Sequence, residues 1–167
     1  MIKLMKSIEP DILSRNSKKW TDAHLSNIAS GVNSSDYLKT RYAHPEIKEQ
    51  LIKETNGKCA YCESKLLHIH HGDVEHIYPK SLDESKRFLW ENLTLSCEIC
   101  NQNKTNLDPN LNSIQDPYSG NPEEVIIFCG SLVIGSGIKG MSTNTILALN
   151  RKQLVEQRQE KLEKILL

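Results

Sequence analysis

The sequence has no hydrophobic run of about 18 residues, the length that a membrane-spanning helix requires. Its start, MIKLMKSIEPDIL, has an interrupted apolar pattern with an early proline, which is not typical of a signal peptide. These two absences predict a cytoplasmic protein that does not enter a membrane. In that reducing compartment, paired cysteines indicate metal sites rather than disulfides.

Aromatic residues and surplus charge are also scarce. Only 5% of the 167 residues are aromatic and 38% are hydrophobic, so a small core that a metal or a partner helps to stabilise is expected. Basic and acidic residues both number 21, and the formal net charge is zero. Because attraction to phosphates supplies most non-specific affinity, this balance argues against a chain that holds nucleic acid by itself.

Residues 1–57 carry the apolar spacing and capping residues typical of helices. The predicted helices run from Lys18 to Ser30, from Ser35 to Tyr42, and from Pro45 to the stop at Gly57. Trp20 is most simply an anchor in a small core. This N-terminal helical region ends directly before the first cysteine.

Residues 58–110 predict two short strands and a helix. The strands run from Leu66 to Ile69 and from Val74 to Tyr78, with a turn at Gly72 and Asp73 that makes them a hairpin. Residues 97–105 then predict a knuckle that opens into a short polar helix.

Residues 111–167 predict a second hairpin that turns at Gly130, with Cys129 as a core thiol. Glycines at 135, 137 and 140 predict a flexible join, and residues 141–167 a single long helix. Its apolar side chains, including Leu147 and Leu154, either cover this hairpin or dock on a partner. We expect docking, because a neutral chain needs help to hold nucleic acid.

Four of the five cysteines form two CxxC pairs, Cys59 with Cys62 and Cys97 with Cys100. Two such pairs can each hold one edge of a tetrahedral zinc ion. The alternative, four incidental thiols, is disfavoured by the regular spacing. The sequence therefore predicts one structural zinc per chain.

Between and after these pairs stand the segments DVEHIYPKS, WENLTLS and CEICNQNK. His76 can take a proton from water as a general base. Glu75 offers an anionic oxygen to a hard divalent ion such as Mg²⁺. Adjacent strand residues point to opposite faces, so both can serve one site only if the strand bends or ends there.

From about Lys58 to Thr105 these motifs resemble the HNH (ββα-metal) nuclease family. The resemblance implies a treble-clef-like core in which Glu75 is a ligand of a catalytic Mg²⁺ or Mn²⁺ ion and His76 is the general base. It also implies that Asn92 orients the loop and the histidine. Asn101 takes the position of a second histidine and ligates the metal through its amide oxygen.

Each of these side chains has a plainer alternative. His76 could be a structural histidine, Asn92 a loop cap, and Asn101 only the N-cap of its helix. Lys80 and Lys104 are expected to bind nucleic-acid phosphates or simply to face solvent. The histidines at 68, 70 and 71 suggest a second metal cluster, but a functional role is not favoured for them.

More diffusely, most of the chain resembles the PtuB family, the small HNH component of Septu-type and retron-associated antiphage systems. The resemblance rests on MIKL, CAYCE, VEHIYPKS and TILALNRKQLVEQR. It implies a large ATPase partner of the PtuA type, which would supply nucleic-acid affinity. We therefore expect an α+β endonuclease. DNA is its expected substrate, and RNA is the alternative. The alternative is a catalytically inactive zinc module.

Overall fold

The computed structural model describes residues 1–66 and 72–166. In this part of the chain, helices surround two small antiparallel sheets, which confirms the predicted α+β class. No described helix is both long enough and apolar enough to span a membrane.

The N-terminal region is helical, as predicted. It contains α1 (Asp11–Ala29), α2 (Asp36–Lys39), a 3-10 turn (Arg41–Ala43) and α3 (Pro45–Glu54). Helix α1 begins seven residues before the expected start, directly after Pro10, whose missing N–H costs nothing at this position. Trp20 is partly buried against the core, with its ring 5.7 Å from that of Phe88.

A ββα unit forms the centre of the molecule: β1 (Asp73–His76), β2 (Leu93–Ser96) and α4 (Glu98–Lys104). Strands β1 and β2 pair antiparallel, with His76 opposite Leu93. The sequence did not predict β2. Its LTLS segment alternates apolar and polar residues as a strand does, but four residues are too few to give a clear periodic signal. The predicted strand at 66–69 falls outside the described residues, except for Leu66, which is not in a strand.

The C-terminal region contains α5 (Pro122–Val125), the hairpin of β3 (Ile126–Cys129) and β4 (Leu132–Gly135), α6 (Gly137–Ile146) and α7 (Lys152–Leu166). The hairpin and its turn at Gly130 confirm the prediction. Cys129 is exposed, so the prediction of a core thiol was wrong. In a two-stranded sheet alternate residues face outward, and Cys129 lies on that face with Ile127, which is 44% exposed.

Two expectations about the following segment were also wrong. The glycines do not form a flexible join, because Gly137 begins α6 and Gly140 is buried against the Val125 backbone. A side chain at Gly140 would collide with the Val125 carbonyl oxygen. The single long helix is interrupted at residues 147–151, where Ala148 has a φ of +47°.

The hydrophobic core draws on all three regions of the chain. Leu13 and Leu51 come from the N-terminal helices, Leu95 from β2, and Val133 and Leu154 from the C-terminal region. All five are buried in one cluster, so the flanking regions pack on the ββα unit.

Candidate metal centre and catalytic cleft

The two cysteine pairs meet where the turn after α3 approaches the start of α4. The Sγ atoms of Cys59, Cys62, Cys97 and Cys100 all lie within 4.8 Å of one another, and those of Cys62 and Cys97 are 3.9 Å apart. Four thiolates around a tetrahedral zinc are separated by about 3.8 Å, given Zn–S bonds of about 2.3 Å. The cluster could therefore bind a zinc ion with little movement.

Backbone hydrogen bonds hold this knuckle in shape. The Cys100 N–H donates to the Cys97 Sγ at 3.4 Å, so Cys97 caps α4. The Glu63 N–H donates to the Cys59 carbonyl, and the Ala60 N–H donates to the Leu95 carbonyl of β2, both at 2.9 Å. The sheet that carries the candidate catalytic residues is thus bonded directly to the cysteine cluster.

Arg151, which the sequence analysis did not identify, lies against the sulfurs. Its guanidinium donates to the Sγ atoms of Cys62, Cys97 and Cys100 at 3.6–3.7 Å. Burial opposes the charge of Arg151, but the thiolates outweigh burial and raise its pKa. No local signal marks this residue, because the break between α6 and α7 brings it 51 positions back along the chain to Cys100.

A cleft beside the metal centre contains four of the other predicted site residues. Strand β1 ends at His76, so Glu75 and His76 both line this cleft, as the sequence analysis required. Lys80, from the loop after the strand, and Asn101, from α4, complete the wall. The structure therefore brings Glu75, His76, Asn101 and Lys80 together.

The imidazole of His76 is held in one orientation. It is 3% exposed, and its Nε2 lies 2.9 Å from the Arg87 carbonyl oxygen. A carbonyl only accepts, so Nε2 carries the proton and Nδ1 is the basic nitrogen. The Tyr42 ring packs edge-on, 4.5 Å from the imidazole. Burial, followed by the charge of Lys80, lowers the pKa of His76 to about 3.

Lys104 requires a correction, because it does not face solvent or an incoming phosphate. Its ammonium is 1% exposed and donates to Glu75 Oε1 at 2.8 Å and to the His76 carbonyl at 2.9 Å. The position of Lys104 on the inner side of α4 directs it at β1. Burial raises the pKa of Glu75, although the Lys104 charge opposes this.

Two asparagines have well-defined partners. The side chain of Asn92 accepts from the Tyr78 N–H at 2.7 Å and donates to the carbonyls of Tyr78 and Lys86, which joins both ends of the loop after β1. Asn101 Nδ2 donates to the Asp73 carboxylate at 3.2 Å, leaving the amide oxygen free to accept a ligand. Asp73 lies two residues before Glu75, on the same face of β1. It is a second residue that the sequence analysis did not identify.

The histidines at 68, 70 and 71 lie outside the described residues. The oxygens of Glu75 and Asn101 are of the kind that Mg²⁺ and Mn²⁺ favour, so the donor set of the cleft fits such an ion. The sulfurs of the cysteine cluster suit zinc instead.

Comparison with known proteins finds that residues 59–107 match the family described as HNH endonuclease. The Septu protein PtuB of Bacillus thuringiensis is 32% identical over 111 residues, covering 66% of this chain and 43% of that protein. The Septu protein PtuB of Bacillus mycoides (strain KBAB4) is 25% identical over an alignment of 195 residues, covering 95% of this chain and 66% of that protein. The chain therefore spans less than two thirds of the length of both relatives.

Proposed function

We propose that this chain, in which residues 59–107 are an HNH endonuclease domain, hydrolyses phosphodiester bonds of nucleic acid. The observation that carries the proposal is the cleft in which Glu75, His76 and Asn101 meet at the end of β1. DNA is the first choice of substrate and RNA the alternative.

In the proposed reaction, a water oxygen attacks phosphorus while Nδ1 of His76 takes the water proton. The bond between phosphorus and the 3′ oxygen then breaks, and the 3′ oxygen leaves and takes a proton from solvent water to become a hydroxyl. His76 is positioned for this role because its Nε2–H is held by the Arg87 carbonyl, so Nδ1 is the nitrogen that can accept the proton. Lys80, at the cleft wall, attracts the phosphate.

Glu75 and Asn101 would hold the catalytic divalent ion, Mg²⁺ or Mn²⁺. When bound, such an ion stabilises negative charge on the phosphate and on the leaving oxygen. Asp73 directs the Asn101 oxygen, and Asn92 keeps the loop after His76 in place. We assign zinc to the four-cysteine cluster, where its role is structural.

We further propose that the chain is the nuclease subunit of a Septu-type defence complex with an ATPase of the PtuA type. Support comes from the two relatives named Septu protein PtuB and from the zero net charge. A neutral nuclease gains little from phosphate attraction, so a partner would deliver it to its substrate. Within the region 111–167, the proposed docking segment is the exposed end of α7 around Ile165. Leu147 and Leu154, which were expected to dock on a partner, are instead buried in the chain's own core.

A specific observation also favours the second candidate, a catalytically inactive zinc module that binds protein or nucleic acid. Lys104 already neutralises Glu75, and a carboxylate with a built-in cation has less need of a metal. The two functions differ in whether metal-dependent cleavage occurs.

The test compares wild type with His76→Ala on plasmid DNA and total RNA, with and without an ATPase of the PtuA type. We predict a loss of about 10² to 10⁴-fold in rate, because general-base catalysis contributes about that much. Removing Mg²⁺ and Mn²⁺ while zinc is retained should also abolish cleavage. His24→Ala is the control, since His24 is equally buried but bonds to Ser34 and Glu84 instead. Near-normal cutting by folded His76→Ala would refute the assigned role.

A further inference from the structure

An aromatic and basic surface adjoins the cleft, and only its Lys80 has a role in the mechanism above. Tyr37, on α2, is 68% exposed. The Arg41 guanidinium carbon lies 3.8 Å from the centre of the Tyr37 ring, and Arg41 Nε donates to the Tyr37 carbonyl at 3.1 Å. A flat cation thus covers one face of an exposed ring.

This surface is continuous with the catalytic residues. Tyr42 follows Arg41 and packs 4.5 Å from the His76 ring. Lys80 Nζ lies 4.9 Å from the centre of the Tyr42 ring. We name these four residues, Tyr37, Arg41, Tyr42 and Lys80, the aromatic rim. The rim begins at the proposed general base and runs outward onto α2.

The backbone of the rim is fixed relative to the catalytic histidine. Arg87 Nη1 donates to the carbonyl of Lys39, between Tyr37 and Arg41, at 3.2 Å. The carbonyl of the same Arg87 accepts from His76. One buried residue therefore anchors both the rim and the base, and the spacing between them is preset.

We infer that the aromatic rim binds an unpaired stretch of nucleic-acid strand beside the bond to be cut, an inference that rests on the proposed nuclease function. Bases stack on tyrosine rings and on arginine planes, but only when they have left the duplex stack. Arg41 and Lys80 are also available for phosphates on either side.

The charge balance favours stacking over phosphate attraction as the source of affinity. The chain has no net positive charge, so counterion release contributes little. Packing does not account for Tyr37 either, since two thirds of its surface faces solvent. A duplex offers mainly its phosphates, whereas an unpaired strand also offers the faces of its bases.

The experiment measures binding of short labelled DNA and RNA oligonucleotides, single-stranded and duplex, to the full-length chain with zinc bound and Ca²⁺ in the buffer. Tyr37→Ala and Arg41→Ala should each weaken single-strand binding by about tenfold and change duplex binding little. Tyr37→Phe keeps the ring and should bind like wild type. Arg15→Ala, an exposed arginine paired with Asp11 on α1, is the matched control.

Cleavage by the complex with the ATPase is measured in parallel. Preferred cutting of single strands or unpaired junctions, reduced in Tyr37→Ala through a higher KM, supports the inference. The inference about the aromatic rim is overturned if the wild type binds duplex more tightly than single strands, or if Tyr37→Ala and Arg41→Ala bind single strands as well as wild type does. In either case, cleavage by wild type would leave the nuclease proposal intact. If wild type neither binds nor cuts any nucleic acid, alone or with the ATPase, both proposals fail. The DNA and RNA arms identify which strand the rim accepts.

Discussion

The buried pair of Glu75 and Lys104 sets the charge of the cleft at the scale of single residues. We predict that Lys104→Met lowers the free energy of unfolding by about 3–5 kcal/mol, because it leaves a buried carboxylate with no counter-charge. Urea denaturation measures this change. Mg²⁺ should stabilise the variant more than wild type, since a divalent ion can replace the lost ammonium.

The double variant Glu75→Gln with Lys104→Met removes both charges and should recover most of the lost stability. Lys152→Met, which breaks an exposed pair with Glu156, should have little effect and serves as the control. Equal stability of Lys104→Met and wild type would show that the pair is not energetically coupled.

Tyr42 packs edge-on against the His76 ring, 4.5 Å away, and so contributes to the burial that lowers the pKa of His76. With a pKa of about 3, His76 stays neutral down to low pH, so its protonation should not reduce cleavage between about pH 5 and 8. In Tyr42→Ala, water reaches the imidazole and its pKa rises toward the ordinary 6.5. The base is then protonated as pH falls, and we predict a decline of the cleavage rate below about pH 6.5.

The pH dependence of the rate at saturating metal tests this prediction. Tyr42→Phe retains the ring and should keep the profile of wild type. A pH profile of Tyr42→Ala that matches wild type would mean that Tyr42 does not shield the base.

At this scale, the sequence predicted the residues that lie in the motifs resembling the HNH family. Glu75, His76 and Asn101 meet in one cleft because α4 packs against β1, although a long loop and β2 separate these two elements in the chain. It did not predict Asp73 or Tyr42, and it assigned Lys104 to phosphate. The spacing of residues in the sequence does not show in which direction a lysine side chain on a short helix points.

At the scale of elements, the break between α6 and α7 determines where Arg151 lies. It turns Arg151 toward the cysteine sulfurs, which acquire a net negative charge when they bind zinc. We predict that Arg151→Ala binds zinc about 10- to 100-fold more weakly, as is usual when a group that supports metal ligands is lost. Transfer of zinc to a coloured chelator measures the affinity.

Arg151→Lys keeps the charge but not the planar donors, so it should lie between Arg151→Ala and wild type. Lys152→Ala removes a neighbouring exposed charge and should retain zinc normally. If folded Arg151→Ala transfers zinc at the same rate as wild type, the guanidinium does not support zinc binding.

Helices and the second hairpin could be predicted because caps, glycine stops and apolar periods are local. Strand β2 was missed although LTLS alternates apolar and polar residues, because a strand of four residues gives only a weak periodic signal. The glycines at 135 and 140 were read as flexibility, but they serve close packing of α6 on the hairpin. Composition alone does not distinguish these two uses of glycine.

At the scale of the molecule, the end of α7 is free to contact a partner. Leu154 is buried and Arg158 donates to the carbonyls of Ser131 and Leu149, whereas Ile165 is 79% exposed. We predict that deletion from Gln159 onward preserves the fold but weakens co-purification with the ATPase. Circular dichroism and affinity capture measure the two effects. A folded truncation that binds the ATPase as tightly as the intact chain would rule out docking through this segment.

The position of Arg151 also has a consequence for the order of assembly during translation. All four cysteines leave the ribosome before Arg151, so a newly emerging knuckle can gather its thiols while it still lacks their cation. The metal centre is completed only when the C-terminal region has been made and folded back. A chain that terminates early, before residue 151, therefore carries every residue of the proposed cutting site but an unfinished metal centre beneath it.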